Sequence, residues 1–444
     1  MMSTLKAVRG TRDLLPPETR LWNRIEETAR RVFARYNFGE IRTPAFEDTA
    51  LFARGVGEET DIVSKEMYTW EDPPKPKGAI AYPPSMILGG RGIQSLTLRP
   101  ENTAGVVRAY IEHKLGESGQ LQKLYYIGPQ FRRERPQKGR YRQFWQIGAE
   151  VIGPQSAGSQ SSLRDAEVLE MLSTLLDELG IDGWTLELNS VGSAADRERY
   201  NEVLRAALVE VAPKMCGDCQ RRAVTNPLRV LDCKVPEDQP IIDALPKITD
   251  SLDQESKDHF AAVVAALDAA GVPYKLNPRL VRGLDYYTRT TFEFTHGGLG
   301  AQNALLGGGR YDGLSEAIGG PKAPGIGFAM GLDRLVLTLK ATDANQKSAP
   351  PQGVVDAYVA PIGEKLNAAA LVLARELRRA GRSIELGDGS FRLKKSFEAA
   401  DKVARRIVIL GEDELQSGIL TVKDFASGTQ SKVPRTELVS FLAQ

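Results

Sequence analysis

Between Leu124 and Ile152 the chain reads as a strand, a basic turn and a second strand, and no other stretch constrains the fold as tightly. Leu124-Tyr125-Tyr126-Ile127 is a run of strand formers, and Tyr141 to Ile152 alternates polar and apolar from Arg142 to Ile147. Strand side chains point to opposite faces with period two, so this alternation predicts a half-buried strand. The connection, Gln130 to Arg142, carries six cations (Arg132, Arg133, Arg135, Lys138, Arg140 and Arg142) against Glu134 alone. An antiparallel pair with a cationic tip is the expected result.

The remaining pattern arranges itself around that pair. Leu21, Trp22, Ile25, Ala29, Val32, Phe33 and Tyr36 recur at helical spacing after Pro16-Pro17, predicting a helix over 18–36. An extended stretch with Pro44 follows. Five Pro and four Gly in residues 71–93 predict a loop between two strands. Helices are expected at 163–179, 196–211 and 248–270, strands at 185–189, 274–277 and 287–294, and a glycine-rich stretch at 307–310. A helix from Ala329 is entered from a glycine-rich strand. Residues 342–353 are polar with Pro350-Pro351 and read as a linker. Beyond it strand and helix alternate in a small α/β domain over 354–444.

Composition excludes several classes. A chain of 444 residues with 42% hydrophobic content can bury real cores, and its apolar runs are too short for a membrane span. Met1 to Gly10 has no signal-peptide pattern, so a cytoplasmic protein is expected. Three histidines, none in a nucleophile motif, make a Ser-His hydrolase a poor fit. Net charge is +1, yet residues 130–142 and 373–406 each carry a local excess of +5. Two separated basic patches suit a polyanion held at two places. Cys216-x-x-Cys219 with Cys233 offers three thiols, with no His nearby to complete a zinc site. They read as reduced cysteines, and no structural metal is expected.

The chemistry concentrates at the basic hairpin. Arg132 and Glu134 share a strand face, with Phe144 on the returning strand. Arg binds phosphate in a fork, a carboxylate accepts from an exocyclic amine, and an aromatic ring stacks on a base. Neither GxxxxGK[ST] nor GxGxxG occurs, so ATP would bind without a phosphate loop. Gly325 to Arg334 is a second anchor: glycines permit close approach, and Arg334 enters with a helix N-terminus that suits a polyphosphate.

At this point the motifs resemble those of the class II aminoacyl-tRNA synthetases. Phe38 to Pro44 resembles motif 1, Phe131-Arg132-Arg133-Glu134 motif 2 and Gly327 to Arg334 motif 3. Val281-Arg282-Gly283-Leu284-Asp285-Tyr286-Tyr287-Thr288 and Gly308-Gly309-Arg310-Tyr311-Asp312-Gly313-Leu314 resemble the two signatures of histidyl-tRNA synthetases, and Arg9-Gly10-Thr11-Arg12-Asp13 resembles their start. The order of six motifs, more than any one of them, carries the resemblance.

The resemblance implies an α+β catalytic core on an antiparallel sheet (1–192 and 275–341), a helical insertion (193–274) and an anticodon-binding domain (354–444). It implies a homodimer that activates L-histidine with ATP, with Mg²⁺ expected, and charges histidine tRNA. By the resemblance, Glu101, Thr103 and Gln146 hold the α-ammonium. Glu150 and Tyr287, beside Tyr286, read the imidazole. Arg132 and Arg282 hold the α-phosphate and the reacting carboxylate, Glu134 and Phe144 face the adenine, and Arg334 holds the γ-phosphate. Gln137 and Arg142 would meet the tRNA acceptor end. The chain departs from the pattern at Asn102, where Gly is usual, and at Arg133 and Trp145, where His is common. A paralogue that binds histidine without charging tRNA is the alternative; such paralogues lack the C-terminal domain and carry degraded signatures.

Overall fold

The basic hairpin lies within an eight-stranded sheet, and the rest of the first unit is built on that sheet's two faces. In a computed structural model, residues 5–58, 60–72, 94–134, 139–299, 303–343 and 354–443 are described. The chain divides into two compact units, Met1–Asn345 and Gln346–Gln444. Of the stretch read as a loop over 71–93, only Glu71 and Asp72 are described, and they extend the strand Tyr68–Asp72. The remainder of that stretch, Gln137 and residues 344–353 lie outside the described residues.

Six strands form the antiparallel body of the sheet, in the order Gln122–Phe131, Gln143–Ile152, Gly325–Gly331, Ala304–Arg310, Thr288–His296 and Trp184–Ser190. Two-residue strands, Gly39–Glu40 and Lys275–Leu276, close the edges in parallel. The period-two rule then sorts side chains into two layers. Ile147, Ala149, Val151, Ile326, Phe328 and Met330 point into the main core, while Phe144, Gln146 and Glu150 face the other way.

Helices cover the apolar face. Glu18–Arg35 buries Trp22, Ile25, Ala29, Val32 and Phe33, and the Phe33 ring lies 5.0 Å from that of Tyr125. Each such burial is worth about 1.5–3 kcal/mol, so the face, not helix propensity, holds the element in place. Ser162–Leu179 starts on a Ser161 cap and ends where Gly180 turns left-handed, at φ 74°.

Local readings differ from the structure where pairing outweighs composition. Residues 307–310 form a strand, since the glycine-rich run pairs on both sides. The last helix of the first unit begins at Leu332, not Ala329, because Ala329 to Gly331 still pair with Gly148 to Gln146. Residues 248–270 are two elements. A short turn, Ile248–Ser251, precedes a fresh helix, Gln254–Ala270, whose Asp253 cap accepts from the Ser256 N–H at 2.7 Å. That helix packs on Ser162–Leu179 and sends Val263 and Leu267 into the main core. Residues from Val191 to Ile248 gather a smaller core of their own, shared with Val281.

The second unit has a five-stranded sheet ordered Ile384–Leu386, Val355–Pro361, Ala404–Leu410, Ile419–Asp424 and Gln430–Pro434. The first three strands are parallel, as the alternating pattern predicts, and an antiparallel hairpin extends them.

Candidate active site

The polar face of the sheet floors a cleft of about 750 Å³. Three strand positions of equal parity, Phe144, Gln146 and Glu150, reach it from one strand because successive side chains alternate. At its base Glu150 is wholly buried. The Thr103 hydroxyl donates to its Oε1 at 2.7 Å and the Tyr311 hydroxyl to its Oε2 at 2.7 Å. Burial pushes the Glu150 carboxyl up to about 8; the two hydroxyls pull it down, and nearby Glu101 adds to the rise. Gly327 lies opposite Glu150 in the sheet, and a Cβ there would collide with the carboxylate. Glycine is required at that position by space.

Glu101 sits at the mouth of the helix Thr103–Glu112 and accepts from the backbone N–H groups of Thr103 (2.8 Å) and Ala104 (2.9 Å). The helix terminus therefore fixes its carboxylate, although burial still raises its pKa. The Tyr286 and Tyr287 rings lie 4.7 Å apart between centroids with their planes tilted by 55°, and Tyr286 meets Tyr311 edge-on at 5.9 Å. All three tyrosines line the cleft.

Three permanent cations border these groups. The Arg132 Nε donates to the Pro100 carbonyl at 2.9 Å, which aims its guanidinium over the Phe144 ring, 5.3 Å from the centroid. Arg282 pairs with Glu293 and lies so close to Gly307 that a Cβ there would strike it. The Arg334 Nη1 donates to the Ala304 carbonyl at 2.7 Å. Glu134 is 3.8 Å from Arg132 and 3.2 Å from Arg140.

The cleft thus brings together Glu101, Thr103, Arg132, Glu134, Phe144, Gln146, Glu150, Arg282, Tyr286, Tyr287 and Arg334. Arg142 is not among the cleft-lining residues; its backbone carbonyl accepts from the Arg132 N–H, and its own N–H donates to Gly10. Gln137 falls outside the described residues.

Three cleft residues had no assigned part in the sequence reading. Tyr311 lies in the second signature, next to Arg310, and the two alternate. Arg310 turns into the interior to pair with Asp165 and, at 3.0 Å, Asp312, while Tyr311 turns to Glu150. Glu293 falls between the buried Phe292 and Phe294, a one-residue polar interruption that marks the opposite face. Tyr126 follows the same parity on its own strand and lines the cleft with a buried hydroxyl.

Comparison with known proteins agrees with the motifs. Residues 91–335 match the histidyl-tRNA synthetase family and residues 356–444 the anticodon binding domain. A histidine–tRNA ligase of Koribacter versatilis is 68% identical over 439 residues, covering 99% of this chain and 96% of that protein. One from Solibacter usitatus is 53% identical, covering 99% of each. The structure of the S. aureus histidyl-tRNA synthetase without ligand aligns with a TM-score of 0.77 at 36% identity, over 99% of this chain and 100% of that one. With the cleft, the ordered motifs and these likenesses in agreement, the chain belongs to the histidyl-tRNA synthetase family.

Proposed function

We propose that the chain joins L-histidine to ATP as histidyl-adenylate, releases pyrophosphate, and then transfers histidine to the 3′ end of histidine tRNA. The observation that carries this reading is Glu150, a buried carboxylate held by two hydroxyls at the base of a cleft bordered by Arg132, Arg282 and Arg334. A neutral imidazole has one donor and one acceptor nitrogen. Glu150 and the Tyr287 hydroxyl can meet both, with Tyr286 packed beside them. Glu101, Thr103 and Gln146 supply oxygens for the α-ammonium. A site that pairs both imidazole nitrogens rejects apolar isosteres by ~10⁴-fold or more.

The reaction needs little acid–base help. The histidine carboxylate is itself the nucleophile. It forms a bond to the α-phosphorus as the bond to the pyrophosphate oxygen breaks, and pyrophosphate leaves with the electron pair. Arg132 and Arg282 neutralise the two approaching anions, and their charge is permanent. Phe144 and Glu134 take the adenine, and Arg334 the γ-phosphate. Glu134 and Glu293 offer hard-oxygen donors that would help hold a Mg²⁺ ion on the triphosphate, where it would neutralise part of the charge. In the second step a ribose hydroxyl of the tRNA forms a bond to the activated carbonyl carbon, the bond from that carbon to the phosphate oxygen breaks, and adenylate leaves with the electron pair while the hydroxyl proton passes to its phosphate.

The partners follow from the same reading. Histidine tRNA meets Gln137 and Arg142 at its acceptor end and the 354–444 domain at its anticodon arm. The chain acts as a homodimer through Phe38 to Pro44. Exposed Phe46 and Trp70 support this, for they pack at 6.0 Å on a three-stranded sheet of Phe46–Asp48, Gln94–Leu98 and Tyr68–Asp72 and remain 51% and 40% accessible. No described helix is long and apolar enough to cross a membrane, and we place the protein in the cytoplasm. ATP–pyrophosphate exchange tested with each amino acid in turn checks the whole reading: histidine alone should support it, and exchange with another amino acid, or with none, overturns it.

A further inference from the structure

All three cysteines of the 444-residue chain come to one place in the small core between Val191 and Ile248, and a carboxylate joins them. The donor atoms of Cys216, Cys219, Cys233 and Asp238 all lie within 4.8 Å of one another. The Cys216 and Cys233 sulfurs are 3.9 Å apart, and the Cys233 sulfur is 3.3 Å from Asp238 Oδ2. Tetrahedral zinc with Zn–S bonds of 2.3 Å separates its sulfurs by ~3.8 Å. A disulfide would need them at ~2.05 Å. We propose that these four residues form a structural zinc site, three thiolates and one carboxylate, that braces the rim of the cleft.

Each ligand is held as a ligand should be. Cys216 precedes the helix Gly217–Thr225 and Cys219 sits in its first turn, where the helix terminus favours negative sulfur. The Val235 N–H donates to the Cys233 sulfur at 3.4 Å, an outer-shell contact of the kind that orients a metal-bound thiolate. Asp238 is 2% exposed, yet its partners are the Cys216 N–H and the Cys233 thiol, with no Lys or Arg ion pair among the described residues. A buried carboxylate without a cation is costly. A divalent cation held between the three sulfurs and the carboxylate resolves that difficulty. Thiolates select zinc over magnesium or calcium. The sequence pattern hid the fourth ligand because Asp238 stands alone, five residues past Cys233 and outside any spaced motif.

The site explains how a small core holds its place. So few buried residues need a staple. The stapled segment also reaches the cleft: Leu231, Asp232, Lys234 and Gln239 line it, and Arg229 lies against Gly283, beside Arg282.

The test uses the full chain, expressed with added zinc and purified under reductant without chelator. Elemental analysis should return one zinc per chain. Cobalt exchanged for zinc should give thiolate-to-cobalt charge transfer and the intense visible bands of a tetrahedral ion. Asp238→Asn keeps an oxygen for the Cys216 N–H but loses the charge. It should fold and bind zinc more weakly, by at least the ~10–100-fold that losing an outer-shell partner already costs. Metal-free, folded protein with three freely titrating thiols overturns the proposal, as does a Cys216–Cys233 disulfide in the purified chain. Unchanged zinc affinity in Asp238→Asn overturns the four-ligand assignment.

Discussion

Glu150 shows how a single environment sets a protonation state. Its hydroxyl partners donate hydrogen bonds worth about 1.5–3 kcal/mol each to a charged acceptor, but burial outweighs them and leaves the carboxyl near 8. Between about pH 4.5 and 8 the folded chain therefore holds a proton that the unfolded chain has lost, so stability falls as pH rises through that window. Glu150→Gln removes the titration. Its melting temperature relative to the parent should rise between about pH 5 and about pH 9, a parallel pair of curves being the contrary result. Assayed above pH 8, where the parent carboxyl is ionised, the same variant should raise the KM for histidine more than tenfold, roughly the 1.4 kcal/mol of one lost charge-assisted contact, with the KM for ATP little changed. If both constants rise together, Glu150 supports the fold and not the imidazole. Arg282→Ala tests the reacting centre. Loss of one transition-state charge contact costs ~3 kcal/mol or more, so histidine-dependent exchange should fall over 100-fold in a folded protein. The residual Glu293 makes that figure a lower bound, since it loses its partner.

At the scale of elements, the proposed function gives the hairpin two jobs that mutation can separate. Its strands carry Phe144 and Glu150 at fixed register, Gln130 opposite Phe144 and Leu124 opposite Glu150, and Arg132 follows directly on the end of the first strand at Phe131. Between the two strands, in chain order, lie the basic residues Arg133, Arg135, Lys138 and Arg140. Gln137→Ala should slow aminoacylation and blur discrimination at the first base pair while exchange stays near normal, because base contacts specify and phosphate contacts position. Exchange and aminoacylation measured on the same preparation check this, and equal losses in both would assign the loop to the ATP site. Gly327→Ala is the opposite kind of change. Its Cβ would enter the Glu150 carboxylate, so histidine binding should collapse although the loop is untouched, as isothermal titration with histidine would register.

For the whole molecule, the second unit has its own sheet and core, with Leu373, Leu377, Val408 and Val422 among the buried residues. Its basic stretch, 373–406, is therefore presented by a separately packed body. Removing residues 354–444 should weaken tRNA binding and flatten its salt dependence, since each lost phosphate contact removes about one counterion from the log–log slope. Exchange should persist in part. A filter-binding salt series on both forms gives the comparison, and an unchanged slope would free that domain of tRNA contact. Sedimentation of the full chain should show a dimer; a stable, active monomer would contradict the Phe38 to Pro44 interface.

What could be read in the amino-acid order was whatever depends on near neighbours. Helix 18–35 was legible because its apolar stripe repeats every turn, and the hairpin because its faces alternate. The cleft residues in the quoted motifs were legible because a motif keeps its members a few positions apart. Tertiary structure decided the rest, where distant segments meet. A glycine run at 307–309 became a strand only when two neighbours offered it hydrogen bonds. Tyr311 reached Glu150 across 161 positions. Asp238 joined three cysteines that spacing alone had left one ligand short. Hydrogen bonds and ligand sets are satisfied in space, and chain order reports only those partners that lie close along it.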